Sequence, residues 1–257
     1  MKRIVFKVGT ATLYENGRLS ERIDGIVKLL SELNENYEIL LVSSGAVGAG
    51  YTRCPLDKSK LENKQALAAI GQPLLMKEYK KRFHKYNITV AQVLVTAADF
   101  DSRKRTQNAK KMINVLLKNK IIPIINENDS VAVEEILFGD NDQLSAYATY
   151  YFDADMLIIL SDIDAFYDAN PKTDKNAKPL KIVTDIKDEW LEAKCNPNDD
   201  FATGGIVTKL KAAKFLIERN KIMFLTSGFD LRDVRAFLKG KQRGGTVFMN
   251  GELRMEN

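Results

Sequence analysis

Apolar runs and segments of helical spacing alternate along the chain. Residues 3–8 form a β-rich run that predicts a strand, residues 20–33 repeat apolar side chains at helical intervals, and residues 37–42 predict a second buried strand. Ser20 is a plausible N-cap for the first helix. Alternating strands and helices are typical of a layered sheet with helices on both faces. We therefore expect an α/β domain, a three-layer αβα sandwich with a mainly parallel central sheet.

The same alternation continues towards the C-terminus. Further strands are predicted at residues 89–95, 121–125, 156–160, 222–225 and 245–248, and further helices at residues 61–86, 106–118, from residue 144 onward, 206–218 and 231–238. We expect the long helix to be interrupted between Gly71 and Pro73. Residues 168–179 are polar and predict an exposed loop.

Two polar clusters flank an alternating segment in the middle of the chain. The first, residues 126–129, reads Asn-Glu-Asn-Asp and follows the apolar run at residues 121–125; the second, residues 139–142, reads Gly-Asp-Asn-Asp and precedes a predicted helix. Carboxylates suit an ammonium group and amides can donate to a carboxylate, so the two clusters together favour a site for a small zwitterion. The second cluster alone is equally compatible with a helix cap, in which Asp140 or Asp142 accepts from backbone N–H groups.

Three glycine turns follow predicted strands or open a predicted helix: Gly9-Thr10, residues 43–50 and residues 203–205. Glycine lets the backbone approach a ligand closely, and a helix N-terminus presents free N–H groups that suit phosphate. The chain has neither the GxxxxGK[ST] of P-loop proteins nor a GxGxxG in its first turn. The turns therefore indicate phosphate binding by a different arrangement.

A lysine lies close to the first and to the third of these glycine turns. Lys7 interrupts the apolar strand before Gly9, where a buried charge is costly unless it is paired, and Lys209 lies one helical turn after Gly205. A lysine at the C-terminal end of a strand points at the crevice where open α/β sheets bind ligands. In-line phosphoryl transfer needs such cationic groups. We therefore expect Lys7 and Lys209 to stabilise the transferring group, Asp142 to hold lysines and substrate in register, and Mg²⁺ to be bound mainly by nucleotide phosphates.

Composition narrows the range of functions. The 257 residues are 45% hydrophobic, enough for one large α/β domain or two small ones, and the formal net charge of +5 is mild. A nucleic-acid surface usually carries a stronger basic stripe, so no nucleic-acid partner is expected. With 2 cysteines and 1 histidine, the chain lacks the material for a disulfide scaffold, a histidine zinc site or a Ser-His-Asp triad. No apolar run reaches the ~18 residues of a membrane span. A cytoplasmic setting is the default expectation.

The motifs together resemble those of the amino acid kinase family, and within it those of the members that phosphorylate glutamate. They are KVGT at residues 7–10, SSGAVGAG at 43–50, an alanine-rich helix ending in Gly71-Gln72, NENDSVA at 126–132, GDNDQLSA at 139–146 and TGGIVTK at 203–209. The resemblance extends over residues 2–248 and implies the amino acid kinase fold. It also implies ATP-dependent phosphorylation of the γ-carboxylate of L-glutamate to L-glutamyl 5-phosphate, the first step of proline biosynthesis.

The resemblance assigns roles to individual positions. Those that match the catalytic set are Lys7, Lys209 and Asp142. Those that match the substrate-binding set are Ser44, Gly45, Ala46, Asp129, Asp140 and Asn141. Those that match the nucleotide-binding set are Lys7, Gly9, Ser161, Asp162, Thr203, Gly204, Gly205, Ile206, Val207, Thr208 and Lys209. Two positions depart from the family pattern: Ala202 stands where glycine is usual, and Ser161 replaces a threonine while keeping the hydroxyl. No residue is assigned to a metal.

The resemblance implies one amino acid kinase domain over residues 1–257, with a substrate-binding part at residues 1–153 and a nucleotide-binding part at residues 154–257. Many members carry a further C-terminal PUA domain, and we expect this chain to lack it because the sequence ends soon after the kinase pattern. A homo-oligomer, dimer or tetramer, and inhibition by proline near the glutamate site are expected by resemblance only.

Three other functions stay open at this point. Another amino acid kinase acts on a different carboxylate, such as that of acetylglutamate, but an acylated amine has no positive charge to favour the acidic clusters. A nucleotide- or proline-sensing module without catalysis is disfavoured by the presence of Lys7, Lys209 and Asp142. An RNA-binding protein has only the mild basic charge in its favour.

Overall fold

The computed structural model describes residues 1–15, 17–131, 141–192 and 205–252. The strands in these ranges are β1 (Arg3–Val8), β2 (Tyr14–Glu15), β3 (Arg18–Leu19), β4 (Glu38–Ser43), β5 (Val90–Val95), β6 (Ile122–Glu127), β7 (Met156–Ser161), β8 (Ile182–Val183), β9 (Ile222–Ser227) and β10 (Thr246–Phe248). The helices are α1 (Thr10–Leu13), α2 (Arg22–Leu33), α3 (Ala46–Tyr51), α4 (Leu61–His84), α5 (Ala97–Asp101), α6 (Arg103–Lys118), α7 (Asn141–Tyr151), α8 (Asp188–Glu192), α9 (Gly205–Ile217) and α10 (Arg232–Phe237). All strands and long helices predicted from the sequence are present.

The central sheet of the described residues has 8 strands in the order β5-β6-β4-β1-β7-β9-β10-β8. The strand β1 pairs in parallel with β4 on one side and with β7 on the other, and parallel pairing continues outward to β5 and β9. Only at the far edge does the direction change, because β10 runs antiparallel to β9. The mainly parallel sheet is therefore confirmed. Strand order reverses at β1, so its carboxyl end is a topological switch point, where open α/β sheets bind ligands.

Helices cover both faces of this sheet. Phe6 and Val8 of β1 belong to an apolar core that includes side chains of α2, α4 and α10, whereas Val5 belongs to a second core with side chains of α6, α7 and α9. Two cores on opposite faces of one sheet make the three-layer sandwich. Successive side chains of a strand point to opposite faces, so Lys7 points to the same face as Val5, towards α7 and α9.

The long helix α4 is continuous, and the interruption predicted at residues 71–73 is wrong. Gly71 serves helix packing, because a Cβ there would lie 1.8 Å from the carbonyl oxygen of Ala46 in α3. Gly50 of α3 approaches α4 in the same way, since its Cβ would lie 2.0 Å from a main-chain carbonyl oxygen of that helix. Pro73 lies on the exposed side, where water can solvate the carbonyl that proline leaves without a donor. The close crossing fixes α3 against the long helix.

Several short elements have no clear signal in the sequence. The helices α1 and α3 begin directly after Gly9 and Gly45, inside segments that the sequence presents as turns. Ser20 is not the N-cap of α2, because the helix begins at Arg22 and the cap residue is Glu21. The Ser20 hydroxyl still accepts a hydrogen bond from the backbone N–H of Arg22, at 3.3 Å, so it does help to satisfy the start of the helix.

Candidate active site

The predicted site residues gather at the carboxyl ends of the parallel strands. Gly9 follows β1, Ser44 follows β4, and Ser161 is the last residue of β7. Since parallel strands end at the same edge of a sheet, these turns share the edge that contains the switch point at β1. The two polar clusters are attached to the same edge, because Asn126 lies near the carboxyl end of β6 and Asn141 begins α7.

The centre of the site is a buried carboxylate held between two ammonium groups. Asp142 Oδ1 lies 2.6 Å from Lys7 Nζ, and Asp142 Oδ2 lies 3.0 Å from Lys209 Nζ. Asp142 is 0% exposed, Lys7 4% and Lys209 6%. Two cations face one anion, so this cluster of three side chains carries one surplus positive charge in a part of the molecule that excludes water. Such a cluster attracts an anion, whose charge would balance the surplus.

The charge pairing sets the protonation of the carboxyl group. Burial alone would raise the pKa of Asp142, but the ammonium groups of Lys7 and Lys209 more than offset burial and hold it below its usual value of 3.8. The carboxylate is therefore ionised throughout the physiological range. Its role in this arrangement is that of a charged anchor for the two lysines.

Three elements bring these side chains together. Lys7 reaches the cluster from β1, Asp142 lies in the first turn of α7, and Lys209 lies one turn into α9. The ammonium group of Lys209 is held further by the first turn of α9, since its Nζ donates to the carbonyl oxygen of Gly205 at 2.9 Å. The Thr208 hydroxyl donates to Asp142 Oδ2 at 3.0 Å. The helix-cap alternative for Asp142 thus gives way to a role as ion-pair partner of both lysines.

A chain of amides connects this centre to the glycine turn after β4. Asn141 Nδ2 donates to Ser44 Oγ and to Asn126 Oδ1, both at 2.9 Å. Asn126 Nδ2 in turn donates to Gln72 Oε1 of α4, at 2.9 Å. Asn126 and Asn141 are buried, so these bonds fix the relative positions of α4, β6 and α7. The network holds Ser44 and Asn141 at one wall of a cavity.

This cavity has a volume of about 340 Å³, which is small for a ligand site and suits an amino acid. The residues that line it are Thr10, Ser44, Gly45, Ala46, Val47, Gly48, Lys58, Asn126, Glu127, Asp129 and Asn141. Five of the predicted substrate-binding residues are thus brought together: Ser44, Gly45, Ala46, Asp129 and Asn141. The sixth, Asp140, lies outside the described residues.

Two carboxyl groups give one part of the cavity an acidic character. Burial, with the neighbouring Asp129 as the smaller cause, raises the pKa of Glu127 to about 7. Burial also raises the pKa of Asp129. Both groups are therefore held in surroundings where ionisation is disfavoured until a cation arrives. An ammonium group bound between them would supply that cation.

Gly45 shapes the part of the cavity wall that follows β4. Its φ angle is 108°, in the left-handed region that favours glycine, and a Cβ there would lie 2.9 Å from a ring carbon of Tyr14. The turn therefore requires glycine for two separate reasons, backbone conformation and space. Its conformation directs the chain into α3, so that Ala46 to Gly48 line the cavity.

The nucleotide-binding set is only partly described. Ser161 is buried at the end of β7, its hydroxyl donates to Asp162 Oδ1 at 2.9 Å, and Asp162 is exposed. The positions Gly205, Ile206, Val207 and Thr208 are half-buried in the first turn of α9. Gly9 lies beside the charged centre, because a Cβ there would be 3.5 Å from Lys7 Nζ. Thr203 and Gly204 lie outside the described residues.

Several of the lining residues received no individual role from the sequence. Asn126 and Glu127 belong to the first polar cluster, and their place directly at the end of a buried strand was a usable signal. Thr10 carries a weaker signal, since it follows Gly9 in the first glycine turn. Lys58 lies in an exposed polar loop, where no pattern distinguishes it from other surface lysines.

Two other features are absent from the part of the chain that the structure describes. No group of three or more His, Cys, Asp or Glu side chains in this part of the chain converges as metal ligands would. Among the helices described, none is both long enough and apolar enough to cross a membrane.

A model of the amino acid kinase family matches residues 2–225. The chain belongs to the amino acid kinase family. This kinase is 51% identical to a glutamate 5-kinase from Leishmania donovani, over 96% of this chain and 95% of the relative. It is 50% identical to a glutamate 5-kinase from Wolinella succinogenes, over 98% of this chain and 99% of the relative.

The fold of this kinase is also found in more distant proteins. A crystal structure of UMP kinase from Ureaplasma parvum matches it with a TM-score of 0.64 and 15% sequence identity, over 96% of this chain and 97% of that chain. At this low identity the match shows the fold alone, and it confirms the amino acid kinase architecture expected from the sequence.

Proposed function

We infer that this kinase transfers the γ-phosphoryl group of ATP to the γ-carboxylate of L-glutamate, forming the acyl phosphate L-glutamyl 5-phosphate. Two relatives at about half identity over nearly the whole chain are glutamate 5-kinases. The observation that carries the proposal is that residues of the cavity are direct neighbours, along the chain, of residues of the charged centre. The cavity with the acidic residues Glu127 and Asp129 is bordered by Thr10 and Asn141. Asn141 immediately precedes Asp142, the carboxylate between the two buried lysines.

The residues present fit a triphosphate donor. The surplus positive charge of the cluster formed by Lys7, Asp142 and Lys209 suits a phosphoryl group, and ATP supplies that group when bound. A carboxylate oxygen of glutamate forms the new bond to phosphorus, and the bond from phosphorus to the departing ADP oxygen breaks. The attacking carboxylate is already ionised at neutral pH, since its ordinary pKa is about 4.3, so no general base is required.

The two lysines approach the transferring group from different elements of the fold. Lys7 lies beside the Gly9 turn, and Lys209 lies at the start of α9. Their ammonium groups face the negative charge that spreads over the transferring group, and Asp142 keeps both in place without moving a proton. Because the cluster is buried, the electrostatic stabilisation exceeds what the same groups would supply in water.

We propose the following division of the chain. Residues 1–153 bind the amino acid, and residues 154–257 bind the nucleotide, with Ser161, Asp162 and residues 205–209 on the nucleotide side. Mg²⁺ would be held mainly by the phosphates and water. Homo-oligomer formation and inhibition by proline are carried over as predictions from the family resemblance.

The acidic side of the cavity distinguishes glutamate from its acetylated form. The α-ammonium of glutamate would favour the ionised state of Glu127 and Asp129, whereas an N-acetyl group leaves both carboxyl groups without a cation. A kinase for acetylglutamate would gain nothing from this arrangement.

Trapping of the acyl phosphate tests the proposal. The enzyme is incubated with ATP, Mg²⁺ and hydroxylamine, and with either L-glutamate or N-acetyl-L-glutamate. We expect ATP-dependent hydroxamate from glutamate and almost none from the acetylated compound. Hydroxamate from N-acetylglutamate alone would overturn the assignment of substrate.

A pair of variants on one helix tests the role of the charged centre. Lys209→Met removes a buried ammonium and is expected to lower hydroxamate formation by about 100-fold or more. Lys214→Met makes the same chemical change on α9, where Lys214 forms an exposed ion pair with Asp188. It is expected to keep nearly full activity. Equal losses in the two variants would show that Lys209 has no special role.

A further inference from the structure

One charged residue of the loop between α3 and α4, Lys58, lines the amino acid cavity. Lys58 is the cationic member among the described residues that line it; the acidic members are Glu127 and Asp129. The buried ammonium groups of Lys7 and Lys209 belong to a different place, since both are paired with Asp142. The cavity therefore has its own cation, separate from the pair proposed for phosphoryl transfer.

The backbone around Lys58 is held in a defined turn. The side chain of Asp57 accepts two hydrogen bonds from Ser59, one from the backbone N–H at 2.9 Å and one from the hydroxyl at 2.8 Å. Asn63 at the start of α4 donates to the carbonyl oxygen of Asp57, also at 2.9 Å. Lys58 is the residue enclosed by these bonds, so its side chain starts from a fixed position although the loop is exposed.

The ammonium group of Lys58 has a defined position as well. Its Nζ lies 3.7 Å from the centroid of the Tyr51 ring, within the range of a cation–π contact. Tyr51 is the last residue of α3, the helix whose first residues form the cavity wall. A contact with a ring compensates the charge only weakly compared with a carboxylate. The ammonium is thus positioned and still able to bind an anion.

We propose that Lys58 binds the α-carboxylate of the amino acid substrate. The inference rests on the proposed function, in which glutamate presents three charged groups. Its γ-carboxylate must face the centre at Lys7 and Lys209, and its α-ammonium suits Glu127 and Asp129. The α-carboxylate remains, and Lys58 is the cation available for it among the described lining residues. Lys58 then selects amino acids with a free α-carboxylate.

The test compares two substrates and two variants. The substrates are L-glutamate and its α-carboxamide analogue, which keeps the α-ammonium and the γ-carboxylate but has no α-carboxylate charge. The variants are Lys58→Gln and Lys60→Gln. Lys60 is an exposed lysine two positions further along the same loop and is not among the residues that line the cavity. The measurements are the KM of each amino acid, the KM of ATP and kcat.

We expect Lys58→Gln to raise the KM of glutamate about two- to fivefold, the upper part of the range of an exposed ion pair, with kcat and the KM of ATP nearly unchanged. The KM of the α-carboxamide analogue should hardly change, because the lost charge has no partner in that compound. Lys60→Gln should leave all constants as in the parent enzyme.

Two outcomes would overturn the inference. An equal rise in KM for glutamate and for the α-carboxamide analogue in Lys58→Gln would show a general effect on the loop. An equal effect of Lys60→Gln would show a general effect of surface charge. Failure of the proposed function is recognised separately, because the parent enzyme would then form no hydroxamate from glutamate at all.

Discussion

Replacing Asp142 by asparagine is the most informative single change in this enzyme. The substitution keeps the size of the side chain and removes its charge, so the ammonium groups of Lys7 and Lys209 lose the carboxylate that lies between them. All three side chains are almost completely buried, with exposures of 0%, 4% and 6%. Water cannot replace the missing charge, and the two cations are left close together.

The structure sets the expected size of the effect. Removing one partner from a buried ion pair costs about 3–5 kcal/mol of folding stability, because the remaining charge stays buried without compensation. For a domain of this size that corresponds to a decrease in Tm of about 10 °C. Because the pKa of Asp142 is lowered, its contribution is complete above the unfolded value of 3.8 and is lost only as the pH falls through the lowered folded value. An experiment at neutral pH therefore measures the whole effect.

Activity should decrease beyond the loss of folded protein. Without the anchor, the two lysines repel one another and leave the positions in which they face the transferring phosphoryl group. We expect kcat for hydroxamate formation to decrease by about 100- to 1000-fold per folded molecule, measured well below the Tm of the variant. Thermal unfolding followed by circular dichroism gives the folded fraction.

Asp153→Asn is the matched control. Asp153 lies just beyond the end of α7, is exposed, and forms a surface ion pair with Lys110. Its φ angle is 55°, a left-handed conformation that asparagine also adopts readily. We expect a change below about 1 kcal/mol and parental kcat. If Asp142→Asn behaved like this control, the reasoning about the charged centre would be refuted.

Three further predictions address the cavity and the helix crossing beside it. Because the pKa of Glu127 is about 7, the KM of glutamate should decrease about tenfold as the pH rises from below to above that value, and Glu127→Gln should abolish this pH dependence. The raised pKa also affects the free enzyme: its folding stability is greatest below the unfolded pKa of Glu127 and decreases as the pH rises through about 7. A KM step that persists in Glu127→Gln would assign it to another group. Gly71→Ala should destabilise the fold by about 1–3 kcal/mol and raise the KM of glutamate, because its Cβ would overlap the carbonyl of α3. In the control variant Gly25→Ala in α2, the nearest atom to the new Cβ lies at 3.7 Å, so the fold should be stabilised by up to about 1 kcal/mol. Equal Tm values for the two variants would contradict the packing argument. Asn141→Asp replaces an amide that donates two hydrogen bonds by an acceptor, so it should lower the folding stability by about 1–3 kcal/mol and raise the KM of glutamate. Asn114→Asp is the control and should be neutral, because the exposed side-chain oxygen of Asn114 already accepts a hydrogen bond from an arginine. Equal stabilities of the two variants, measured by calorimetry, would argue against the network.

The sequence carried enough information for the sheet and for the charged centre. Apolar runs of strand length mark the strands, because buried strands leave a continuous apolar signal. Lys7 was conspicuous for the same reason, since a charge inside such a run requires a partner. That Asp142 and Lys209 would meet Lys7 followed from the family resemblance together with the rule that ligands bind at the carboxyl ends of parallel strands.

Other features depend on tertiary contacts that a linear pattern does not show. Gly71 and Pro73 predict a break, yet the helix continues because Gly71 lies at a close helix crossing and Pro73 faces solvent. The second role of Gly45, to leave room for Tyr14, is visible only in three dimensions. Lys58 looks like any surface lysine until the loop places it at the cavity.

A co-crystal structure with L-glutamate, a non-hydrolysable ATP analogue and Mg²⁺ tests the central claim most directly. We predict that the γ-carboxylate of glutamate faces the γ-phosphorus between Lys7 and Lys209, while the α-ammonium lies against Glu127 and Asp129. Glutamate bound outside this cavity, or a γ-phosphate beyond the reach of both ammonium groups, would contradict the account.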